Sequence, residues 1–259
     1  MRFALLLVML AAASPAMADD GLCVDRPGLG TPACVLAAGQ GMAELGLAEW
    51  DHSGDAATRE DDFNFGQMLV RYGIGGNTEL GLGFDGYASN RLRDRTSGLV
   101  TRSRGGGDMT LFVRHNLSGG DGPVAVHGFV TLPTGRAGIG AGDWGAGLLV
   151  PVDLTLPQGF ELDLTPELDA AVNDSGKGRH FAWGGVLGLG HALGPKVGIE
   201  AEVAAWRHDD PAGAYTDARS ALSLAWQPGK DWQIDVETDF GLSSAAPDHA
   251  LIVGLARRF

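Results

Sequence analysis

From residue 39 to Phe259 the chain is a series of runs in which apolar and polar residues alternate, separated by turn-forming residues, and no run carries a helical period. The breaks between runs fall into two classes that take turns along the chain. Short breaks lie at residues 73–77, 118–122, 157–159, 194–196 and 228–230, and longer ones at 51–62, 89–106, 133–142, 173–180, 209–214 and 243–247. Such a pattern describes an antiparallel up-and-down sheet whose two ends differ. A soluble sandwich has no reason to obey it, whereas a sheet rolled through a bacterial outer membrane does, with tight periplasmic turns and longer outside loops. The sequence therefore predicts an all-β fold, a transmembrane antiparallel up-and-down β-barrel of about twelve strands with both termini periplasmic.

Aromatic positions test this independently, because membrane barrels collect such residues at the two interfaces. Trp50, Trp144, Trp183 and Trp206 fall at strand ends beside long breaks, while Trp226, Trp232, Tyr72 and Phe259 fall beside short ones. The last run ends on an aromatic residue, with Leu251, Val253, Leu255 and Phe259 on one face at period two. A terminal strand without a frayed end needs partners on both sides. This ending resembles the assembly signal of outer-membrane barrels, which implies the barrel-assembly machinery as a partner. Arg257 departs from the apolar residue usual there, and its long stem can carry the charge to water.

The N-terminus sets the compartment. Residues 1–18 carry Arg2, an apolar run and Ala16-Met17-Ala18 before Asp19, the form of a secretory signal peptide. Removing Arg2 with the signal takes the formal charge from -13 to -14. That balance argues against nucleic acid as a partner and against a polybasic membrane-surface role. Cys23 and Cys34 are the only cysteines, and in an exported chain they are expected to pair. Residues 19–38 then form a periplasmic N-terminal segment ahead of a barrel spanning 39–259. Two readings of that segment stay open, a small plug in the periplasmic mouth and a disordered tail.

Charges at bilayer depth must face the lumen. Period two then assigns Glu79, Asp85, Asp163, Glu167, Glu202, Asp235, Glu237 and Asp239 to an acidic interior, with Arg71, Arg114 and Arg219 as its basic minority. Counting back from a turn at Gly229 sets Arg219 opposite Asp239. Pro151 and Pro166 lie inside predicted spanning strands, where proline cannot donate to the ladder. Counting outward from Gln158 sets Pro151 opposite Thr165, so the two missing donors share one patch of wall and mark a candidate lateral exit. Leu162, Leu164 and Leu168 would form its outer lip, with Gly147 and Thr165 on the lumen side.

Several runs carry a family resemblance. Arg71-Tyr72-Gly73-Ile74, Glu79-Leu80-Gly81-Leu82-Gly83, Gly107-Asp108-Met109-Thr110-Leu111, Leu132-Pro133-Thr134-Gly135 and the stretch from Asp231 to Phe259 are similar, in that order, to outer-membrane transporters of the MetA-pathway of phenol degradation family. The resemblance implies a channel associated with aromatic-hydrocarbon catabolism, with outer-membrane lipid and a small-molecule solute as partners. It supplies no substrate residues.

Other chemistry has weaker support. Gly140-Ala141-Gly142-Asp143-Trp144-Gly145 satisfies a dinucleotide pattern, but no helix follows it. His127, His180 and His191 are scattered over different runs, so no metal or other cofactor is expected. An outer-membrane hydrolase would have to use His208, Asp209 and Asp210 with Asp61 and Asp62 from another loop. The expected function is passive uptake of small solutes, with that hydrolase, or a purely structural filled barrel, as alternatives.

Overall fold

The structure is a computed structural model that describes residues 21–259, so the signal segment 1–18 lies outside the described residues. Twelve antiparallel strands close into one barrel. They are β1 (Gly41–Gly54), β2 (Thr58–Phe65 and Gln67–Gly75), β3 (Thr78–Phe84 and Tyr87–Asp94), β4 (Val100–Gly106 and Met109–Asn116), β5 (Ala125–Leu132) and β6 (Gly145–Leu149 and Val152–Thr155). β7 (Phe160–Val172), β8 (Arg179–Gly194), β9 (Val197–His208), β10 (Tyr215–Gly229), β11 (Trp232–Gly241) and β12 (His249–Arg258) complete it. Each strand pairs with its chain neighbours, and β12 returns to β1 with Met42 opposite Arg258 and His52 opposite His249. Closure removes the free edges that an open sheet would expose to lipid.

Leu251, Val253 and Leu255 sit on the outward face of β12, opposite Trp50, Ala48 and Leu45 of β1. The outer wall is apolar over the middle of the strands: Val70, Leu111, Leu168, Leu187, Val203, Leu222 and Ile234 are all large and exposed. An apolar surface that wraps the whole sheet needs lipid rather than water around it. Aromatic residues border the band. Trp183, Phe181, Phe63, Phe65 and Tyr87 lie toward one end, and Tyr72, Trp226, Trp232 and Phe259 toward the other. Arg257 lies over the rings of Trp232 and Phe259, 4.5 and 4.8 Å from their centroids, so its charge sits at the aromatic edge of the band.

Three local readings of the sequence are corrected. Residues 51–62 and 89–106 are largely strand, not loop, since β1 runs on to Gly54, β2 starts at Thr58, β3 reaches Asp94 and β4 starts at Val100. Beyond the bilayer both faces of a hairpin meet water, so the apolar period that reveals a strand disappears there. The connections at 55–57 and 95–99 are consequently short, while the supposedly short one between β4 and β5 covers 117–124, so the alternation of lengths is not strict. Trp206 points inward and donates from Nε1 to Glu167 at 2.9 Å, so it is not part of an outer girdle. Arg219 pairs in register with Gly241, while Asp239 faces Ala221. The hairpin closes over 230–231 with Gly229 opposite Trp232, and a register irregularity between Trp226 and Gly229 shifts the pairing from the simple count. The ion pair of Arg219 is with Asp217 on its own strand, at 2.6 Å.

Candidate functional site

The N-terminal segment lies inside the barrel at the end carrying the short turns. Its backbone is held by inward side chains from strands all round the wall. Glu44 on β1 accepts from the amides of Asp25 and Arg26, Glu237 on β11 from Gly28, Glu202 on β9 from Leu29 and Gly30, Asp153 on β6 from Ala33 and Glu79 on β3 from Leu36. Thr165 on β7 bonds Thr31 through both its donor and its acceptor. The segment's carbonyls are met by Arg71 at Cys23, Asn116 at Ala33 and Gln233 at Arg26. A strand-free segment in a membrane protein must satisfy its amides somehow, and here the lumen side chains do it.

Close approach is built in from both sides. A Cβ at Gly28 (φ +123°) or Gly30 would lie 2.9 or 3.1 Å from a carboxylate oxygen of Glu202, so side chains there would push the segment off its acceptor. On the wall, Gly46 and Gly254 face each other across the β1–β12 seam; a Cβ on Gly254 would run into the Arg26 guanidinium, and one on Gly46 would clash with Gln67 and lie 3.3 Å from Arg26. Arg26 reaches Asp235 from that slot at 3.3 Å. The disulfide between Cys23 and Cys34 is formed and closes the segment into a loop.

At its centre is a buried ion cluster. Arg71 contacts Asp25, Glu44 and Glu79, and Arg114 contacts both carboxylate oxygens of Asp25 at 2.9 and 2.7 Å. Arg71, Arg114, Glu44 and Glu79 have side chains with no exposure. Burial alone would raise the Asp25 carboxyl, but the Arg114 and Arg71 guanidiniums hold it well below the usual carboxylate range. Asp25 is thus a charged pin between two wall arginines. His127 accepts from Arg114 Nε and stacks on Phe112.

Beside the segment is a cavity of about 790 Å³ bounded by β6, β7 and β9. Asp121, Asp153, Glu161, Asp163, Glu200 and Glu202 line it together with the segment, and no basic residue does among the described residues. Glu167 and Asp239 lie nearer the long loops, and Asp85 sits at the break within β3, accepting from the Asp108 amide. Pro151 falls in the break of β6, between the pairs Leu149–Glu167 and Val152–Leu164, and therefore opposite Thr165. It is buried, whereas Pro166 is exposed on the outer face. The Val150 amide still bonds the Pro166 carbonyl at 3.0 Å. Next to Pro166, Gly185 leaves no room for a Cβ, which would sit 2.5 Å from the Thr165 carbonyl oxygen.

The proposed hydrolytic groups are brought together only in part. His208 meets His180 at 3.0 Å, and His180 meets Asp210 at 3.1 Å. Asp61 is instead held on the outer face of β2 by His52, Arg59 and Arg91, and Asp62 faces Asp51. His127 and His191 have unrelated partners, and among the described residues no cluster could hold a metal ion. Sequence reasoning missed Asp25, Glu44, Asn116, Asp153 and Gln233. The last four sit at inward positions that period two could have flagged; for Asp25 no signal stood out.

A family model described as MetA-pathway of phenol degradation matches residues 24–259. The chain belongs to that family. No curated protein matches it. Among solved structures, this member of the phenol-degradation family is similar to the COG4313 outer membrane channel from Pseudomonas putida F1, with 15% identity, 90% of this chain and 99% of that chain covered, and a TM-score of 0.65. It is also similar to the translocator domain of autotransporter NalP from Neisseria meningitidis, at 14% identity, 86% and 90% coverage and a TM-score of 0.55. The NanC porin aligns at 10% identity, 83% and 98% coverage and a TM-score of 0.52. At these identities the likeness shows the barrel fold alone.

Proposed function

We propose that the protein is an outer-membrane channel for passive uptake of small apolar solutes, aromatic compounds among them, that enter from the long-loop end and leave sideways through the barrel wall. In this reading both termini are periplasmic, residues 21–38 form a plug, and Leu251, Val253, Leu255 and Phe259 are the signal read by the barrel-assembly machinery. The family description and the apolar outer wall support it. The observation that carries the sideways route is the contrast between two paths past the segment. The space along β6, β7 and β9 is lined by seven carboxylates, Asp25 of the segment among them, and by no cation among the described residues, which is unfavourable for an apolar solute. At the same level, where Thr165 holds Thr31, the ladder between β6 and β7 breaks between Leu149 and Val152 and lacks the donor of Pro166, while Pro151, whose carbonyl accepts from the Ala125 amide, lacks its donor on the neighbouring β5 side, and Gly185 packs tightly beside Pro166. Leu162, Leu164 and Leu168 give that patch an apolar outer lip.

Replacing Pro151 and Pro166 together with valine restores two ladder donors. Uptake of an apolar probe into proteoliposomes is expected to fall while small-ion conductance stays the same. Undiminished uptake with unchanged conductance would leave the prolines a structural role only.

The aqueous path gives a separate expectation. Glu161, Asp163, Glu200 and Glu202 face it, so ions that pass should be mainly cations. Reversal potential under a salt gradient in planar bilayers measures this, and anion preference would refute it.

A further inference from the structure

At the long-loop end, β1 to β4 continue past the aromatic border, and the pairing register sorts their outward residues into rows. Phe65 faces Tyr87 in one row, and Trp50, Phe63, Ser89 and Arg104 form the next. Beyond them come His52, Asp61, Arg91 and Arg102, and then Arg59 opposite Arg93. Successive rows on one face are about 7 Å apart. Five arginines thus occupy a small surface of a chain whose formal charge is -13.

Two features of this surface point to an anion from outside. Arg91 lies directly opposite Arg102, and Arg59 directly opposite Arg93. Like charges in direct cross-strand register destabilise a sheet unless a counter-charge lies between them. The chain supplies only one carboxylate on these rows, Asp61, and it is already taken by Arg59 at 2.8 Å, His52 at 3.0 Å and Arg91 at 3.4 Å. Arg93, Arg102 and Arg104 are exposed and have no ion pair among the described residues.

We propose that this patch binds the phosphate groups of a phosphorylated glycolipid in the leaflet that meets the long-loop end. Guanidinium forks suit phosphate oxygens, and several converging on one group give charge-assisted, bidentate contacts. Position selects a lipid over a free anion. The arginine rows continue the exposed aromatic rows that hold Phe65 and Tyr87 and then Phe63, so acyl chains can lie on the apolar wall while the headgroup meets the arginines. The assignment rests on the outward orientation of the long loops proposed above, but its readout does not depend on whether any solute passes.

The test is lipid binding by the full chain in neutral phospholipid nanodiscs, followed by native mass spectrometry. Bisphosphorylated lipid A is expected to bind, and its dephosphorylated counterpart to bind about tenfold more weakly or less. R93Q/R102Q/R104Q should lose a similar factor. Equal binding of the two lipid A forms by the unaltered protein would overturn the proposal whether or not the variant folds. Equal occupancy by inorganic phosphate would make the patch a free-anion site, and equal binding of phosphatidylglycerol would remove the glycolipid; either result also overturns it.

Discussion

Deleting residues 21–37 is expected to raise single-channel conductance several-fold in planar bilayers while the barrel still assembles. The twelve-strand ladder closes between β1 and β12 without any bond from that segment. What the deletion removes is the material that occupies the lumen at the short-turn end and the acceptors and donors bonded to it. Glu44, Glu79, Glu202 and Glu237 then lose their amide partners from the segment, and water can replace those donors because the freed lumen is wet. Arg71 and Arg114 keep Glu79 as a partner, so the wall is not left with a bare buried cation. Cation preference should increase together with conductance, since carboxylates engaged by the segment become part of the pore lining. Heat-modifiable gel migration separates an assembled deletion from a misfolded one. If an assembled deletion conducts like the parent, the segment does not obstruct the lumen.

The barrel was legible in the sequence, and the segment's place within it was not, for one physical reason. Lipid on one side and a polar lumen on the other impose period two on every spanning strand, so Glu79, Glu202 and Glu237 could be assigned to the interior by parity alone. Parity says nothing about what fills that interior. The amides that meet Glu202 come from residues 29 and 30, far away in sequence and in a stretch with no period of its own. Register was less secure than face, as Arg219 shows. The turn closes over 230–231 rather than on Gly229, and with the one-residue register irregularity beside it Arg219 comes to lie opposite Gly241 instead of Asp239, without changing which way the side chain points. Where the bilayer ends, the constraint ends as well. Arg91 and Asp61 alternate with polar residues, and the hairpins they belong to read as loops although their ladders are regular.

Replacing Arg71 with leucine is expected to free the segment with nearly the same effect on conductance as removing it. Arg71 is the one side chain that touches Asp25 and the carbonyl of Cys23 on the segment and Glu44 and Glu79 on the wall. Its guanidinium has no exposure, so no water substitutes for it in the closed state. Leucine leaves three carboxylates facing one another with Arg114 as the remaining cation, and breaking a buried ion cluster by removing one partner costs about 3–5 kcal/mol. That cost falls on the packed segment, because the strands themselves retain their ladders and only the segment can move to let water in. Limited proteolysis from the short-turn side should therefore cut between residues 21 and 38 in R71L while the barrel resists. Removing negative charge as well should reverse part of the effect: R71L/E79L eliminates a directly bonded pair, and replacing such a pair by apolar side chains is often close to neutral. A double variant more closed than R71L is the expected result. R71L that conducts and resists protease like the parent would show that the ion cluster does not hold the segment in place.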